Sequence, residues 1–297
     1  MKLPYYVMDV FTRDRLAGNP LAVVQKADGL SDARMQAIAG EFNLSETVFV
    51  RAPQNPRHAA SLRIFTPRVE LPFAGHPTVG TAVLLGLQSR MSAVRLELGV
   101  GLVTAIMEKI DRRSGAARFA LPHMPERLDD APEAAVLADA LGLPEDAIGC
   151  GALAPAVYSA GVPFYLIPIR NAALLGDIAL QRRGTWSRFS HGHGQLYVFS
   201  RMPDDRNFDF AARMFAPMMG IDEDPATGSA AAALIGLLAD QAGLADGMHQ
   251  FALRQGWEMG RPSRIDLQAT IAGGRLEHGG IGGDAVVLAE GMLDLDE

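Results

Sequence analysis

The stretch Arg63-Ile-Phe65-Thr-Pro67, followed by Pro72-Phe-Ala-Gly75-His76 and an apolar run over 81–86, decides the fold because it is nearly repeated. The second copy reads Arg213-Met-Phe215-Ala-Pro217, then Pro225-Ala-Thr-Gly228-Ser229 and an apolar run over 230–236. The copies lie 213 − 63 = 150 residues apart in a chain of 297, about half its length. This offset predicts a duplicated domain, in which each half supplies one helix that starts at a glycine.

Helix starts of this kind favour an anionic ligand. The first amides of a helix have no acceptor within the helix, and the helix dipole places positive charge there. If the starts at Gly75 and Gly228 faced one cleft, they would present these amides to a single anionic group. The alternative is that both are ordinary capped helices, which are common.

Composition excludes several classes of partner. The formal net charge is −7, whereas binding to nucleic acid needs a basic face. Hydrophobic residues make up 48% of the chain and charged residues 21%, values typical of soluble globular proteins. No polybasic cluster indicates a membrane surface, and the apolar run at the second motif is too short to span a bilayer. We therefore expect neither a nucleic-acid nor a membrane partner.

The single cysteine, Cys150, bears on the compartment and on the chemistry. One cysteine cannot form an intrachain disulfide, which favours a cytoplasmic protein. It lies in a stretch of glycine and alanine with no helix start or basic neighbour, so we interpret it as a small structural residue and not a nucleophile. A homodimer is the quaternary state that we expect.

Strand patterns dominate the chain, and the regular alternation of strand and helix typical of a Rossmann sheet is absent. Ser31 is expected to cap a helix with an apolar face at Met35, Ile38, Ala39 and Phe42. The two repeated helices are expected over about 78–87 and from 229 to about 241. Prolines and charges over 122–132 predict a linker.

We therefore predict an α+β protein made of two pseudo-symmetric domains, each a curved, mostly antiparallel sheet around a central helix. The first domain would comprise residues 1–121 with about 285–297, and the second residues 122–284.

Polar residues stand near both helix starts in the sequence. His76 lies between a glycine and a proline, a constrained position that favours a functional histidine over a structural one. Glu223 and Asp224 precede the second start, where acids either favour the helix dipole, bind a substrate ammonium or share in proton transfer. Glu46 lies between a helix end and an apolar strand, where partial burial would raise its pKa towards that of a general acid/base.

Patterns for a metal or cofactor are weak. His191-Gly-His193 has the look of a metal site, but no acidic or cysteine ligand is near it in the sequence, so we expect a loop. The glycines between 279 and 283 lack the strand–turn–helix context of a dinucleotide site. We expect no metal and no cofactor.

Taken together, the motifs resemble the PhzF family, the phenazine-biosynthesis isomerase-like proteins. They occur in the family's order between residues 9 and 283. The matching pieces are Asp9-Val-Phe11, Gly18-Asn19-Pro20, Asn43-Leu-Ser-Glu46-Thr47, Arg63-Ile-Phe65-Thr-Pro67, Glu70-Leu-Pro-Phe-Ala-Gly75-His76-Pro-Thr, Glu223-Asp224-Pro-Ala-Thr-Gly228-Ser229-Ala, Gln255-Gly256, Met259-Gly260-Arg261-Pro-Ser263 and Gly282-Gly283.

The resemblance implies the fold of diaminopimelate epimerase, with one site between two domains and no metal, flavin or pyridoxal phosphate. It implies that Glu46 is the catalytic acid/base. The other polar residues of the site would be His76, Asp224 and Ser229. The residues that we predict to bind substrate are Asn19, Gly75, Thr227 and Gly228.

One departure from the epimerases narrows the chemistry. Those enzymes carry a cysteine at each helix start, whereas this chain has Ala74 and Thr227. Neither side chain can exchange a proton near pH 7, so a racemase with two thiols is disfavoured. We therefore predict a cofactor-independent isomerase of the PhzF type that moves a proton on a small carboxylate substrate. The alternatives are a racemase or lyase that uses the same cleft, or a binding protein that has lost turnover.

Overall fold

The computed structural model describes residues 1–180, 189, 194–219 and 221–295. The chain divides into two compact units. Unit 1 comprises residues 1–122 and 282–297, and unit 2 comprises residues 123–281. The predicted domains differ from these units by one residue at the linker and by three residues near the C-terminus.

Unit 1 contains eight complete strands and two helices among its described residues. The helices are α1 (Asp32–Phe42) and α2 (Gly75–Ser89). The strands are β1 (Lys2–Val10), β2 (Asn19–Val24), β3 (Glu46–Arg51), β4 (Ala60–Phe65), β5 (Glu70–Leu71), β6 (Ala93–Leu98), β7 (Gly101–Lys109) and β8 (Ser114–Ala120).

Unit 2 contains the other two helices and most of the remaining strands. The helices are α3 (Ala134–Leu141) and α4 (Gly228–Gln241). The strands are β9 (Glu126–Asp130), β10 (Ala156–Ser159), β11 (Pro163–Pro168), β12 (Leu196–Arg201), β13 (Phe210–Ala216), β14 (Ile221–Asp224), β15 (Gly247–Gln255) and β16 (Ser263–Ala272). The last strand, β17 (Arg275–Asp294), starts in unit 2 and ends in unit 1.

The sheet of unit 1 closes on itself around α2. Neighbouring strands among β1–β8 pair antiparallel except for β2 with β3 and β4 with β6. Strand β17 pairs antiparallel with β1 and also pairs with β8. Helix α2 packs against strands of this sheet from β1 to β8, and every residue from 75 to 84 is buried. This burial on all sides explains the continuous apolar run of the first repeat, because no face of the helix meets water.

Unit 2 also packs one central helix against a sheet. Its strands are also mostly antiparallel, with parallel pairs between β11 and β12 and between β13 and β15. Helix α4 packs against β9, β10, β11 and β16, and all but one of its residues from 228 to 238 are buried. The predicted class, an α+β protein with a sheet around a central helix in each half, is therefore confirmed.

Helix α1 has its predicted cap and apolar face, although Phe42 is only half-buried. Ser31 is the N-cap, and its Oγ accepts a hydrogen bond from the amide of Arg34 at 3.3 Å. Met35, Ile38 and Ala39 are buried, as their spacing predicts.

Among the described residues, no helix is long and apolar enough to cross a membrane.

Two boundaries differ from the predictions. Helix α2 begins at Gly75 and not near residue 78, because Pro77 is accepted in a first turn, where its missing amide is not needed. Residues 126–130 of the predicted linker form β9, which pairs with β10. Its five residues are all exposed, so no alternation of apolar and polar residues marks this strand.

Candidate active site

Unit 1 brings Glu46 and His76 together. Glu46 is the first residue of β3, which pairs in parallel with β2 so that Glu46 lies opposite Leu21. His76 is the second residue of α2, and its Nε2 lies 3.2 Å from Oε2 of Glu46. This separation is within ion-pair distance, but the angles are not those of a hydrogen bond. Asn19, also predicted in the site, is the fully buried first residue of β2.

Burial controls the charge of His76. The residue is 4% exposed, and burial lowers its pKa to about 3, well below the usual 6.5. The adjacent Glu46 carboxylate acts in the opposite direction, since a negative charge favours the imidazolium. Burial outweighs this attraction because the ring is almost fully removed from water. His76 is then a neutral imidazole near pH 7, and Glu46 is the group of this pair suited to carry a proton.

Unit 2 places its predicted residues around the start of α4. Asp224 ends β14 and is 8% exposed, and Thr227 is the N-cap residue of the helix. The Thr227 hydroxyl donates to Oδ2 of Asp224 at 2.5 Å. Ser229 is the second residue of α4, the same helical position that His76 holds in α2. The two helix starts are therefore equivalent in unit 1 and unit 2.

Both helix starts lack the usual side-chain cap. Neither Ala74, which caps α2, nor Thr227 accepts a hydrogen bond from the first turn through its side chain. In contrast, Ser31 caps α1 in this way. The amides at Gly75 and Gly228 therefore begin helices whose first turns are not closed by the preceding side chain, as an anion-binding start requires.

The repeated arginines fix the segments that lead into these helices. In unit 1, Arg63 binds Glu70 through both Nε and Nη2, at 2.5 and 2.6 Å. In unit 2, Arg213 binds Glu223 in the same bidentate manner, at 2.8 and 2.7 Å. Each arginine also stacks over the phenylalanine two residues later, Phe65 or Phe215. Glu223 is thus occupied by Arg213, which leaves Asp224 as the carboxylate of this pair suited to bind a ligand.

Two residues around Asp224 and Thr227 were not predicted. Gln255 is 1% exposed, and its amide contacts both residues, while Tyr197 donates to the amide oxygen of Gln255. Gln255 belongs to a recognised motif with Gly256, but the motif carries no indication of which side chain it meets. These contacts join residues 58 and 31 positions apart in the chain, so only the fold reveals them.

The predicted site residues therefore form two groups. Unit 1 holds Asn19, Glu46, Gly75 and His76, and unit 2 holds Asp224, Thr227, Gly228 and Ser229. Their assignment to one shared cleft stays a prediction. A separate cleft of about 690 Å³ in unit 1 is lined by Arg51, His58, Arg63, Glu70 and Glu97 among others, and its lining does not include Glu46 or His76.

Across the part of the chain that the structure describes, no group of three or more histidine, cysteine, aspartate or glutamate side chains is arranged to hold a metal ion. His191-Gly-His193 lies outside the described residues. Cys150 is half-buried and forms a backbone bridge with Leu153, as a structural residue would.

Comparison with known proteins gives the family. The family model described as phenazine biosynthesis-like protein matches residues 8–291. An uncharacterized isomerase of Mesorhizobium japonicum is 44% identical, over 97% of this chain and 98% of its own length. The trans-2,3-dihydro-3-hydroxyanthranilate isomerase of Pseudomonas aeruginosa is 37% identical, over 98% of this chain and 99% of its own. The predicted family and enzyme class, an isomerase, are therefore confirmed.

Solved structures agree on the fold. A phenazine biosynthesis protein of the PhzF family from Bacillus anthracis superposes with a TM-score of 0.87 at 23% identity, covering 99% of this chain and 100% of its own. A hydroxyproline epimerase from Agrobacterium vitis superposes with a TM-score of 0.63 at 12% identity, covering 100% of this chain and 93% of its own. At such low identities these matches show the fold alone, and they confirm that it is epimerase-like.

Proposed function

Since the chain belongs to the phenazine biosynthesis-like (PhzC-PhzF) family, we propose that it is an isomerase that moves a proton within a small carboxylate substrate without a cofactor. Glu46 would take a proton from one carbon of a conjugated skeleton and return a proton to another carbon. The electron pair of the broken C–H bond shifts along the conjugated system, so no oxidant or reductant is required.

The observation that supports this proposal is the pair formed by Glu46 and the buried His76, 3.2 Å apart. An imidazole with a pKa of about 3 is protonated in only about one molecule in 10⁴ at pH 7. It is therefore a poor second acid for epimerisation from two sides, but a suitable neutral neighbour for a carboxylate that works alone. A single proton carrier suits a shift within one molecule better than racemisation.

The helix starts supply binding. We propose that the substrate carboxylate accepts hydrogen bonds from the amides at Gly75 and Gly228, where the helix dipoles favour negative charge. Asp224, with Ser229 and His76, would orient an amine or hydroxyl on the skeleton. A substrate held in this way presents one carbon to Glu46, which is the geometry that proton abstraction needs.

The identity of a relative suggests the substrate class. The Pseudomonas aeruginosa protein is named for trans-2,3-dihydro-3-hydroxyanthranilate, a cyclic conjugated acid that carries an amine and a hydroxyl. We propose a substrate of this class for the present chain. A cytoplasmic location and a homodimer are also proposals, and the first rests on the single cysteine.

The first prediction concerns Glu46. In D₂O, the wild-type protein should convert trans-2,3-dihydro-3-hydroxyanthranilate into a product that carries one solvent deuterium at a single carbon. NMR spectroscopy of the product measures this incorporation. Glu46→Gln keeps the size of the side chain but cannot take a proton, so turnover should fall by about 10²–10⁴-fold while ligand binding survives.

Matched controls separate this effect from general damage. Glu41→Gln changes an exposed glutamate of α1, and Cys150→Ser removes the only thiol; both variants should retain wild-type turnover. A Glu46→Gln variant as fast as wild type would overturn the assignment. Inversion at the labelled carbon would indicate a racemase instead, and loss of water or ammonia a lyase.

A further inference from the structure

Gln255 lies at the end of β15 with all the hydrogen-bonding capacity of its amide in use. Its Oε1 accepts from the Tyr197 hydroxyl and from the Thr227 amide, both at 3.1 Å. Its Nε2 donates to the Asp224 carbonyl at 2.8 Å and to the Thr227 hydroxyl at 3.1 Å. Two donors and two acceptors are the full set that a glutamine offers. One buried side chain therefore ties the end of β14 to the start of α4.

The bonds run in one direction. Tyr197 donates to Gln255, Gln255 donates to the Thr227 hydroxyl, and that hydroxyl donates to Oδ2 of Asp224 at 2.5 Å. Burial and the negative charge of Asp224 raise the pKa of Tyr197 well above its usual value, so its hydroxyl stays a donor across the physiological range. The Asp224 carboxylate is the final acceptor of this chain, which holds one of its two oxygens in a fixed position.

The backbone next to Gln255 explains how its amide comes so close. Gly256 has a φ of +78°, and a Cβ atom there would lie 2.4 Å from the carbonyl oxygen of Arg261 and 2.6 Å from that of Pro225. Only glycine fits such a position. The loop after β15 therefore packs directly on the segment that follows Asp224, and it carries Gln255 into the helix start.

We propose that Gln255 is a positioning residue of the reaction, which fixes the side chain of Asp224 and the first turn of α4, with Tyr197 as its support. This inference rests on the proposed function, in which Asp224 orients the substrate. A buried amide suits the task because each of its atoms has a partner only in the arrangement observed, and any rotation would leave buried polar groups unpaired.

The test compares two pairs of variants by kcat, KM and unfolding temperature. Gln255→Met should lower kcat by about 10²-fold, since small displacements of an orienting group have effects of this size. Gln250→Met, an exposed glutamine on the same strand, should leave kcat unchanged. Tyr197→Phe should lower kcat several-fold. Tyr158→Phe should not, although it also removes a buried hydroxyl, one that is bonded to Asp240 near the far end of α4.

A fifth variant gives a signature that a merely structural role lacks. Gln255→Glu loses both amide donors when ionised, but the protonated acid again offers one donor to Thr227. Its kcat relative to wild type should therefore rise as the pH falls from 8 to 5.5, whereas the same ratio for Gln255→Met should stay flat. A crystal structure of Gln255→Met should show Asp224 in a changed side-chain orientation.

The outcomes distinguish this inference from the proposed function. If wild type and Glu46→Gln exchange deuterium equally, the proposed function fails, and the orientation of Asp224 in Gln255→Met still tests the positioning role. If Glu46→Gln is inactive but Gln255→Met and Tyr197→Phe match their controls in kcat, with Asp224 unmoved, the positioning role is overturned and the proposed function stands.

Discussion

His76 is a residue whose protonation opposes folding. It is buried, and its pKa in the folded protein is about 3, against 6.5 for an exposed histidine. Between these two values the unfolded chain binds a proton that the folded chain does not. The stabilisation of the folded state that depends on a neutral His76 is therefore complete above pH 6.5. It is lost as the pH falls from 6.5 towards 3.

The second prediction follows from this linkage. Lowering the pH from 8 to 5 should reduce the free energy of unfolding by about 2 kcal/mol through His76 alone. His76→Asn should remove this part, so that the wild-type and variant curves from urea unfolding converge as the pH falls. His123→Asn, which changes an exposed histidine, should leave the wild-type slope intact. Parallel curves for wild type and His76→Asn would show that burial does not set the charge of His76.

At the scale of single residues, the sequence predicts which residues belong to the candidate site better than it predicts which side chains they contact. Glu46, His76 and Asp224 can be selected from their motifs, and the Ser31 cap from its position before an apolar periodicity. The roles of Gln255 and Tyr197 cannot be predicted from the sequence, because each role depends on partners that are distant in the chain. A glutamine before a glycine is compatible with many environments, and only the fold chooses among them.

At the scale of secondary-structure elements, each of the two arginine–glutamate pairs connects a longer strand with the short strand that precedes a helix. Arg63 lies on β4 and Glu70 on β5, while Arg213 lies on β13 and Glu223 on β14. The pairs differ in exposure. The side chains of Arg213 and Glu223 are 12% and 14% exposed, whereas Glu70 is 41% exposed, and Arg63 has a second partner in Asp32.

The third prediction uses this difference. Glu223→Gln should lower the free energy of unfolding by about 3–5 kcal/mol, because it leaves a nearly buried guanidinium without a countercharge. Glu70→Gln should lower it by only about 0–1 kcal/mol, since water and Asp32 compensate for the lost charge. Urea unfolding of both variants measures the difference. Equal losses would mean that exposure does not determine the strength of these pairs.

Elements with a strong pattern are predictable, and those without one are not. Strand β17 runs for twenty residues, from 275 to 294, although only 285–289 has the apolar pattern of a strand. The glycines between 279 and 283 interrupt the apolar pattern, so the sequence does not indicate a strand over this part of β17. One of them, Gly282, is required by packing, since a Cβ atom there would lie 2.7 Å from the side chain of Arg118. The first half of strand β15 is mostly exposed, so no apolar alternation marks this strand in the sequence.

At the scale of the whole molecule, duplication is the organising feature. Each unit has an arginine–glutamate pair, a helix start without a side-chain cap, and a polar residue at the second helical position. The spacing of 213 − 63 = 150 residues predicts this correspondence from sequence. It does not reveal that the units differ in chemistry, with a carboxylate next to a neutral imidazole in unit 1 and a carboxylate held by hydroxyl and amide groups in unit 2.

The last prediction concerns whether the two helix starts serve one ligand. Hydrogen exchange should show that anthranilate, a small aromatic carboxylate, protects the amides of Gly75, His76 and Thr78 together with those at 228–231; Pro77 has no amide proton. Anthranilamide, its neutral amide, should protect both far less, because it loses charge-assisted hydrogen bonds and the dipole attraction. The amides at the start of α1, which Ser31 already caps, provide the internal control.

The decisive variant is Gly228→Val, which places a branched side chain at the start of α4. If one anion binds both starts, this variant abolishes protection at 75–78 as well as at 228–231. If protection at 75–78 survives, the starts bind separately, and the proposal that a single substrate carboxylate binds both of them is wrong.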